Sequence, residues 1–139
     1  MIQSRIDIKD SNGTVLFSHD ELACKGTGKV RLADGFDLKL IELRQKLDQP
    51  MVVTSCCRSR SYNERVGGKP RSFHIYDEPQ WPTGGCAAID ITRTSPAFTR
   101  DLVKFSLNLG WTVGVGSTFV HLDRRIDYTD LPQTVFTYS

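Results

Sequence analysis

The 139-residue chain is poor in histidine, with only three, and its four cysteines never form a C-x-x-C pair. It also lacks any long apolar run. Each scarcity excludes something. A membrane-spanning helix needs about 20 consecutive apolar residues, so no membrane insertion is expected. Without thiols two residues apart, a thiolate zinc knuckle is not expected either. An excess of one charge is missing too: 18 basic against 16 acidic residues leave a net charge of +2, which gives no electrostatic grip on nucleic acid. The locally basic runs, residues 25–31 and 56–61, are interrupted by Gly, Ser or Cys. The opening MIQSRIDIKD is charged and alternating, unlike a signal or transit peptide. Synthesis in the cytosol without an export signal of its own is the corresponding expectation. No internal repeat or low-complexity segment occurs.

What remains is an ordinary globular composition, 39% apolar and 24% charged, and a length suited to one domain spanning residues 1–139, expected as a monomer. Cys24, Cys56, Cys57 and Cys86 read as buried free thiols. A bridge from Cys86 to Cys56 or Cys57 stays open. If Cys56 and Cys57 lie on a strand, they point in opposite directions.

Periodicity supplies the elements. Residues 3–8 and 14–18 carry β-formers around Asp-Ser-Asn-Gly, a hairpin signal. A Gly-rich link, residues 24–35, follows. Phe36, Leu40, Leu43 and Leu47 recur at helical spacing over residues 36–48, and Pro50 ends that helix. Residues 51–55 and 86–91 read as buried strands. Residues 58–68 read as one helical turn closed by Gly67 and Gly68, and residues 77–85 as a Pro- and Gly-rich loop. Ser95 and Pro96 start a second helix, which runs to about Asn108 with Phe98, Leu102, Phe105 and Leu109 on one stripe. Residues 111–115 and 119–123 form a hairpin through Gly116, and residues 134–138 alternate as an edge strand. The fold class is α+β: a mostly antiparallel sheet with two main helices against it.

Among these strands lie two imidazoles and a carboxylate in apolar settings: His74 in RSFHIYD, Asp90 in GCAAIDI and His121 in FVHLDRR. This is a ligand set for zinc with an open fourth position. The remaining histidine, His19 in FSHDE, reads as exposed.

Taken together, Thr54-Ser55, Arg58, Asn63, Val66-Gly67-Gly68, Ser72-x-His74, the run through Ala88-x-Asp90, and His121 resemble the zinc D-Ala-D-Ala carboxypeptidase and L-Ala-D-Glu peptidase family. That family includes phage endolysins and vancomycin-resistance dipeptidases. ACKGTG and ELRQKL add to the likeness, which spans roughly residues 21–125. The resemblance implies the hedgehog/DD-peptidase fold and Zn2+ held by His74, Asp90 and His121. It implies a substrate carboxylate on Arg58 and a hydrogen bond from Ser72. The implied substrate is a peptidoglycan stem peptide cut at a bond involving a D-amino acid. Acting on the wall would then require phage release or carriage on a virion.

Three departures stand out. A loop, residues 76–84, separates His74 from Asp90, and with Trp81 as a candidate substrate-binding residue it is expected to form a wall or lid of the cleft. Cys86 stands where the motif glycine aligns, with Gly85 one residue earlier. Many members place an acid three residues before the last histidine as general base, and here that residue is Thr118. Asp123, on the same strand face as His121, is the alternative: either the base or a group that orients His121. This departure keeps a second reading open, a zinc-binding domain of the same fold without catalysis that serves as a wall-binding or virion-structural module. A third, a metal-free domain with these residues satisfied in its core, is the least favoured.

Overall fold

A computed structural model describes residues 4–77 and 83–138. Two β-sheets and five helices follow in the order β1 (Ile8–Lys9), β2 (Val15–Phe17), α1 (His19–Leu22), α2 (Phe36–Leu47), β3 (Val53–Ser55), α3 (Arg60–Arg65), β4 (Ala88–Thr92), α4 (Pro96–Asn108), β5 (Thr112–Val115), β6 (Phe119–Asp123), α5 (Arg125–Tyr128) and β7 (Val135–Thr137). The main sheet has the order β3-β4-β6-β5-β7, antiparallel except for the parallel pair β5 and β7. This is the α+β architecture expected. No helix among the described residues is long and apolar enough to cross a membrane.

Both main helices form for the reasons read from their spacing. On α2 the stripe Phe36, Leu40, Leu43 and Leu47 is buried. On α4, Ser95 accepts from the Phe98 N–H and Pro96 occupies the first turn, which satisfies a donor that the helix itself leaves unpaired. Phe98 and Leu102 are buried, whereas Phe105 and Leu109 are half-buried. The helices meet the sheet at Trp111, whose ring stands edge-on to Phe36 at 5.7 Å.

Alternation along the strands then sorts the sheet into two faces. Ile89, Ile91, Val113, Val120 and Leu122 join the helices in one contiguous core. Asp90, His121 and Gly114 take the other face, paired in one transverse row that continues to Phe136 on β7.

The amino-terminal region differs from expectation. Its hairpin pairs only Ile8 with Phe17 and Lys9 with Val15. The residues before it are drawn to α1 instead: the Ile6 N–H donates to His19 Nδ1 (3.0 Å), and the Asp7 carboxylate accepts from the His19 N–H (2.7 Å). Helix α1 itself was not anticipated, although Ser18 and Glu21 form a capping box around it. His19 is accordingly buried, not exposed. Its Nδ1 accepts, so its Nε2–H donates to the Gly28 carbonyl at 2.9 Å. That is a structural histidine joining α1 to the Gly-rich link.

Candidate metal centre

Each of the three residues arrives from a different element and is held from behind. Asp90 and His121 are register partners on β4 and β6. His74 lies on a turn clamped on both sides: the Arg58 N–H donates to its carbonyl (2.9 Å), the Tyr76 N–H donates to the Arg58 carbonyl (3.0 Å), and the Ala87 N–H donates to the Phe73 carbonyl (2.9 Å). All three side chains are buried. One donor atom from each lies within 4.8 Å of the others.

The outer atoms decide what the inner ones can do. His74 Nδ1 sits 2.6 Å from the Cys56 carbonyl. A carbonyl only accepts, so Nδ1 carries the proton and Nε2 faces Asp90 Oδ1 at 3.1 Å. His121 Nε2 donates to Asp123 Oδ2 at 2.8 Å, which turns Nδ1 toward the same Asp90 oxygen at 2.9 Å. Two imidazole lone pairs aimed at one carboxylate oxygen repel unless positive charge sits among them. Protons can supply it: burial opposes a charged His121, yet hydrogen bonds to Asp123 and Asp90 raise it to about 9. Burial likewise opposes ionisation of Asp90, but His74 and His121 hold it well below the usual carboxylate range. A cation with affinity for nitrogen and oxygen supplies the same charge, so the donor set fits zinc.

Asp123 sits behind His121, outside the cleft lining. Its side chain is 0% exposed. Oδ1 accepts from the Arg125 N–H (3.0 Å) and Nε (2.9 Å), and Oδ2 accepts from His121 and from Arg125 Nη2 (2.7 Å). All lone-pair positions of the carboxylate are engaged. Burial works against its charge, and His121 and Arg125 still lower its pKa. The neighbouring Arg124 pairs with Asp127 instead. Thr118 is exposed.

The triad lines a cleft of about 620 Å³ with Arg58, Ser72, Phe119, Phe136 and Tyr138. Arg58 is no solvated loop arginine. Nε donates to Ser55 Oγ (3.0 Å), Nη1 to Asn63 Oδ1 (3.2 Å), and Nη2 lies 3.6 Å from Asp90 Oδ2. Asn63 in turn donates to the Lys69 carbonyl at 2.8 Å. Gly68 makes this possible, because a Cβ there would overlap the Asn63 amide. The Val-Gly-Gly run thus leaves room for the bracket behind Arg58. Ser72 Oγ accepts from the His74 N–H at 3.1 Å, which keeps its own hydroxyl proton for a partner in the cleft. Trp81 lies outside the described residues.

Cys56 and Cys57 do not diverge. They follow β3 rather than continuing it, and both sulfurs come within 4.8 Å of Cys86. All four cysteines are free, with Cys56 Sγ 3.8 Å from Cys86 Sγ. The carboxy-terminal tail, expected only as an edge strand, also supplies Phe136 and Tyr138 to the cleft lining. The one available signal was the alternation Val135-Phe136-Thr137-Tyr138, which sends both rings to one face.

The fold and the cleft define a class: an α+β domain with a His–Asp–His set that could hold a metal ion on the open face of its sheet. The chain belongs to the Peptidase M15 family, whose family model matches residues 16–123. That is the zinc D-Ala-D-Ala carboxypeptidase family, and its members are zinc-dependent metallopeptidases. No curated protein matches the chain.

Proposed function

We propose that this chain is a zinc peptidase that cleaves a peptide bond involving a D-amino acid in peptidoglycan stem peptides, as a carboxypeptidase or an endolysin-type endopeptidase. The observation that carries the reading is the pair of inner histidine nitrogens turned toward Asp90 on the wall of a cleft shared with Arg58. His74, Asp90 and His121 hold the zinc. When bound, the ion polarises the peptide carbonyl and activates water.

The other groups act through position. The Cys56 carbonyl and the Asp123 carboxylate fix the tautomers of His74 and His121. Asp123 is therefore the group that orients His121, and not the general base. Arg58, held by Ser55 and Asn63, presents its planar fork to a substrate carboxylate, and the Ser72 hydroxyl donates beside it. Among the described residues the lining also carries Lys69 and Arg71 beside Arg58, against the single carboxylate Asp90, a balance that favours an anionic peptide end.

The test is elemental analysis of the purified protein, paired with digestion of purified peptidoglycan with and without a chelator. One zinc per chain and chelator-sensitive release of new amino or carboxyl termini is the expected result. A protein without metal, or release that ignores the chelator, overturns the reading. A specific observation supports a second reading, a zinc-binding domain without catalysis: among the described residues, Asp90 is the only carboxylate lining the cleft. One zinc with no release from several wall types would favour it.

A further inference from the structure

Tyr138 lies beyond the matched segment, which ends at Asp123, yet it lines the cleft. Strand β7 runs parallel to β5, with Phe136 opposite Gly114 and Thr137 opposite Val115. Residues two apart share a face, so Phe136 and Tyr138 both rise on the side of the metal ligands. Tyr138 then leans back over the ligand row. A Cβ at Gly114 would stand 3.1 Å from Tyr138 Cε2, a ring atom bonded to the carbon that bears the hydroxyl. Gly114 is the register partner of His121, and His121 that of Asp90. The phenol end of the ring, and not its base, therefore lies over that row. Phe136 at 5.4 Å and Phe119 at 5.0 Å prop the ring there.

The charges that act on the phenol agree with this placement. Burial, and then the negative charge of Asp90, push Tyr138 up to about 12, and Arg58 is the next strongest influence. The phenol accordingly keeps its proton at neutral pH. Its hydroxyl has no hydrogen-bond partner among the described residues, and the side chain is 45% exposed to the cleft and solvent.

Other groups near the ligands are already committed. Asp90 belongs to the ligand set, Asp123 is sealed behind His121, and Ser72 Oγ accepts from the His74 N–H. Arg58 is braced by Ser55 and Asn63. Sheet order also separates Arg58 from Tyr138: Arg58 follows β3 at one edge, Tyr138 follows β7 at the other, and the strands carrying Asp90 and His121 lie between. A substrate held by its carboxylate at Arg58 extends across the ligands toward the phenol.

The geometry points to Tyr138 as a catalytic residue whose phenol O–H donates a hydrogen bond to the scissile carbonyl oxygen as that oxygen takes up negative charge. This rests on the peptidase reading above and adds to it the group that meets the oxyanion. When water adds to the carbonyl carbon, the π pair moves onto the carbonyl oxygen. The phenol donates to that oxygen, keeps its own proton and forms no covalent bond. Because the charge develops only on the way to the tetrahedral species, the donor acts on kcat more than on KM.

The test compares the zinc-loaded full chain with Tyr138→Phe, which keeps the ring and its packing and removes only the hydroxyl. On a synthetic stem peptide kcat should fall by about 100-fold, the usual loss for one oxyanion donor, with KM, zinc content and melting temperature unchanged. A variant with wild-type kcat overturns the assignment, and so does one whose only change is in KM. The second readout is calorimetric titration with a phosphinate pseudodipeptide, which places a tetrahedral anion where the carbonyl would be attacked. Wild type should bind it about tenfold more tightly than Tyr138→Phe, for loss of a hydrogen bond to a charged oxygen. If the wild type turns over no stem peptide, the peptidase reading fails by itself, and the titration then decides the donor. An affinity that drops in Tyr138→Phe supports it. Equal affinity, or no binding, overturns it.

Discussion

The His74–Asp90–His121 set and the Cys56–Cys57–Cys86 set each bring three donor atoms within 4.8 Å, and both are buried. Spacing and burial do not separate them; their partners do. In the first set both outer nitrogens donate to fixed acceptors, so the inner nitrogens converge on a carboxylate that stays charged. In the second, sulfur faces carbonyl oxygen: Cys86 Sγ donates to Ala88 O (3.2 Å) and Cys56 O (3.4 Å), and Cys57 Sγ lies 3.8 Å from Arg31 O. Burial holds Cys86 well above the usual thiol range, and Cys56 is raised as donor to Cys57. Only Cys57 is lowered, by the thiols that donate to it. A metal here would have to displace the protons of Cys56 and Cys86, which burial and hydrogen bonds hold in place. One set also opens on a cleft, and the other is packed into the core. On the proposed function, what surrounds the donors is what makes the first cluster the metal site.

The most direct way to break this comparison is to remove one member from each set. His74→Ala and His121→Ala should each lose the zinc, drop turnover to the level of chelated protein, and lose the metal-dependent part of the melting temperature, since metal binding is linked to folding. Cys86→Ala should retain one zinc per chain. Two zincs in the wild type, or a histidine variant that keeps its zinc, would mean that partner geometry does not discriminate the two clusters.

Asp123→Asn sharpens the same point, because it touches the site only through His121. Loss of a carboxylate behind a ligating histidine weakens metal binding by roughly 10–100-fold, whereas turnover at saturating zinc should be largely kept. Intact zinc affinity with abolished kcat would make Asp123 the base after all. Arg58→Lys removes the fork and the bracket to Ser55 and Asn63 but retains charge. KM should rise by about tenfold for loss of a charge-assisted hydrogen bond, with zinc content unchanged. Equal KM would remove Arg58 from substrate binding.

Titration separates the loaded and stripped forms further. In metal-free protein, His121 is raised from 6.5 to about 9, so its stabilising charge is fully present below about pH 6.5 and lost as pH rises through about 9. Zinc requires that proton to leave, so zinc affinity rises over the same range. The difference in melting temperature between zinc-loaded and chelated protein should therefore widen from about pH 6.5 to about pH 9. A constant difference would contradict the lone-pair geometry.

How legible this was in the chain depended on the kind of signal. Helices α2 and α4 were readable because their apolar stripes recur at helical period and face one core. Residue type and motif context pointed to the triad, and the sheet register then placed Asp90 beside His121. The misread features depend on long-range partners. His19 is buried because Ile6 and Gly28 satisfy its ring, and no local pattern shows that. Cys56 and Cys57 converge because the chain leaves β3 before reaching them, which defeats an argument from strand alternation. The tail carries ordinary residues, and its part in the cleft comes from pairing with β5 across Gly114.

The smallest expected effect lies in the thiol cluster, and it completes the contrast. Cys86 is 0% exposed, so Cys86→Ala leaves a small cavity and should cost about 1 kcal/mol, like other minor core truncations. The cost should stop there. The Cys56 carbonyl that Cys86 approaches still receives His74 Nδ1–H at 2.6 Å, so the acceptor behind His74 keeps a donor. The anchor of His74 is therefore indifferent to the sulfur beside it. Denaturant titration of Cys86→Ala should show the small loss with zinc affinity unchanged. A tenfold drop in zinc affinity would instead mean that the sulfur helps hold the Cys56 carbonyl in place, and that the two clusters act as one unit.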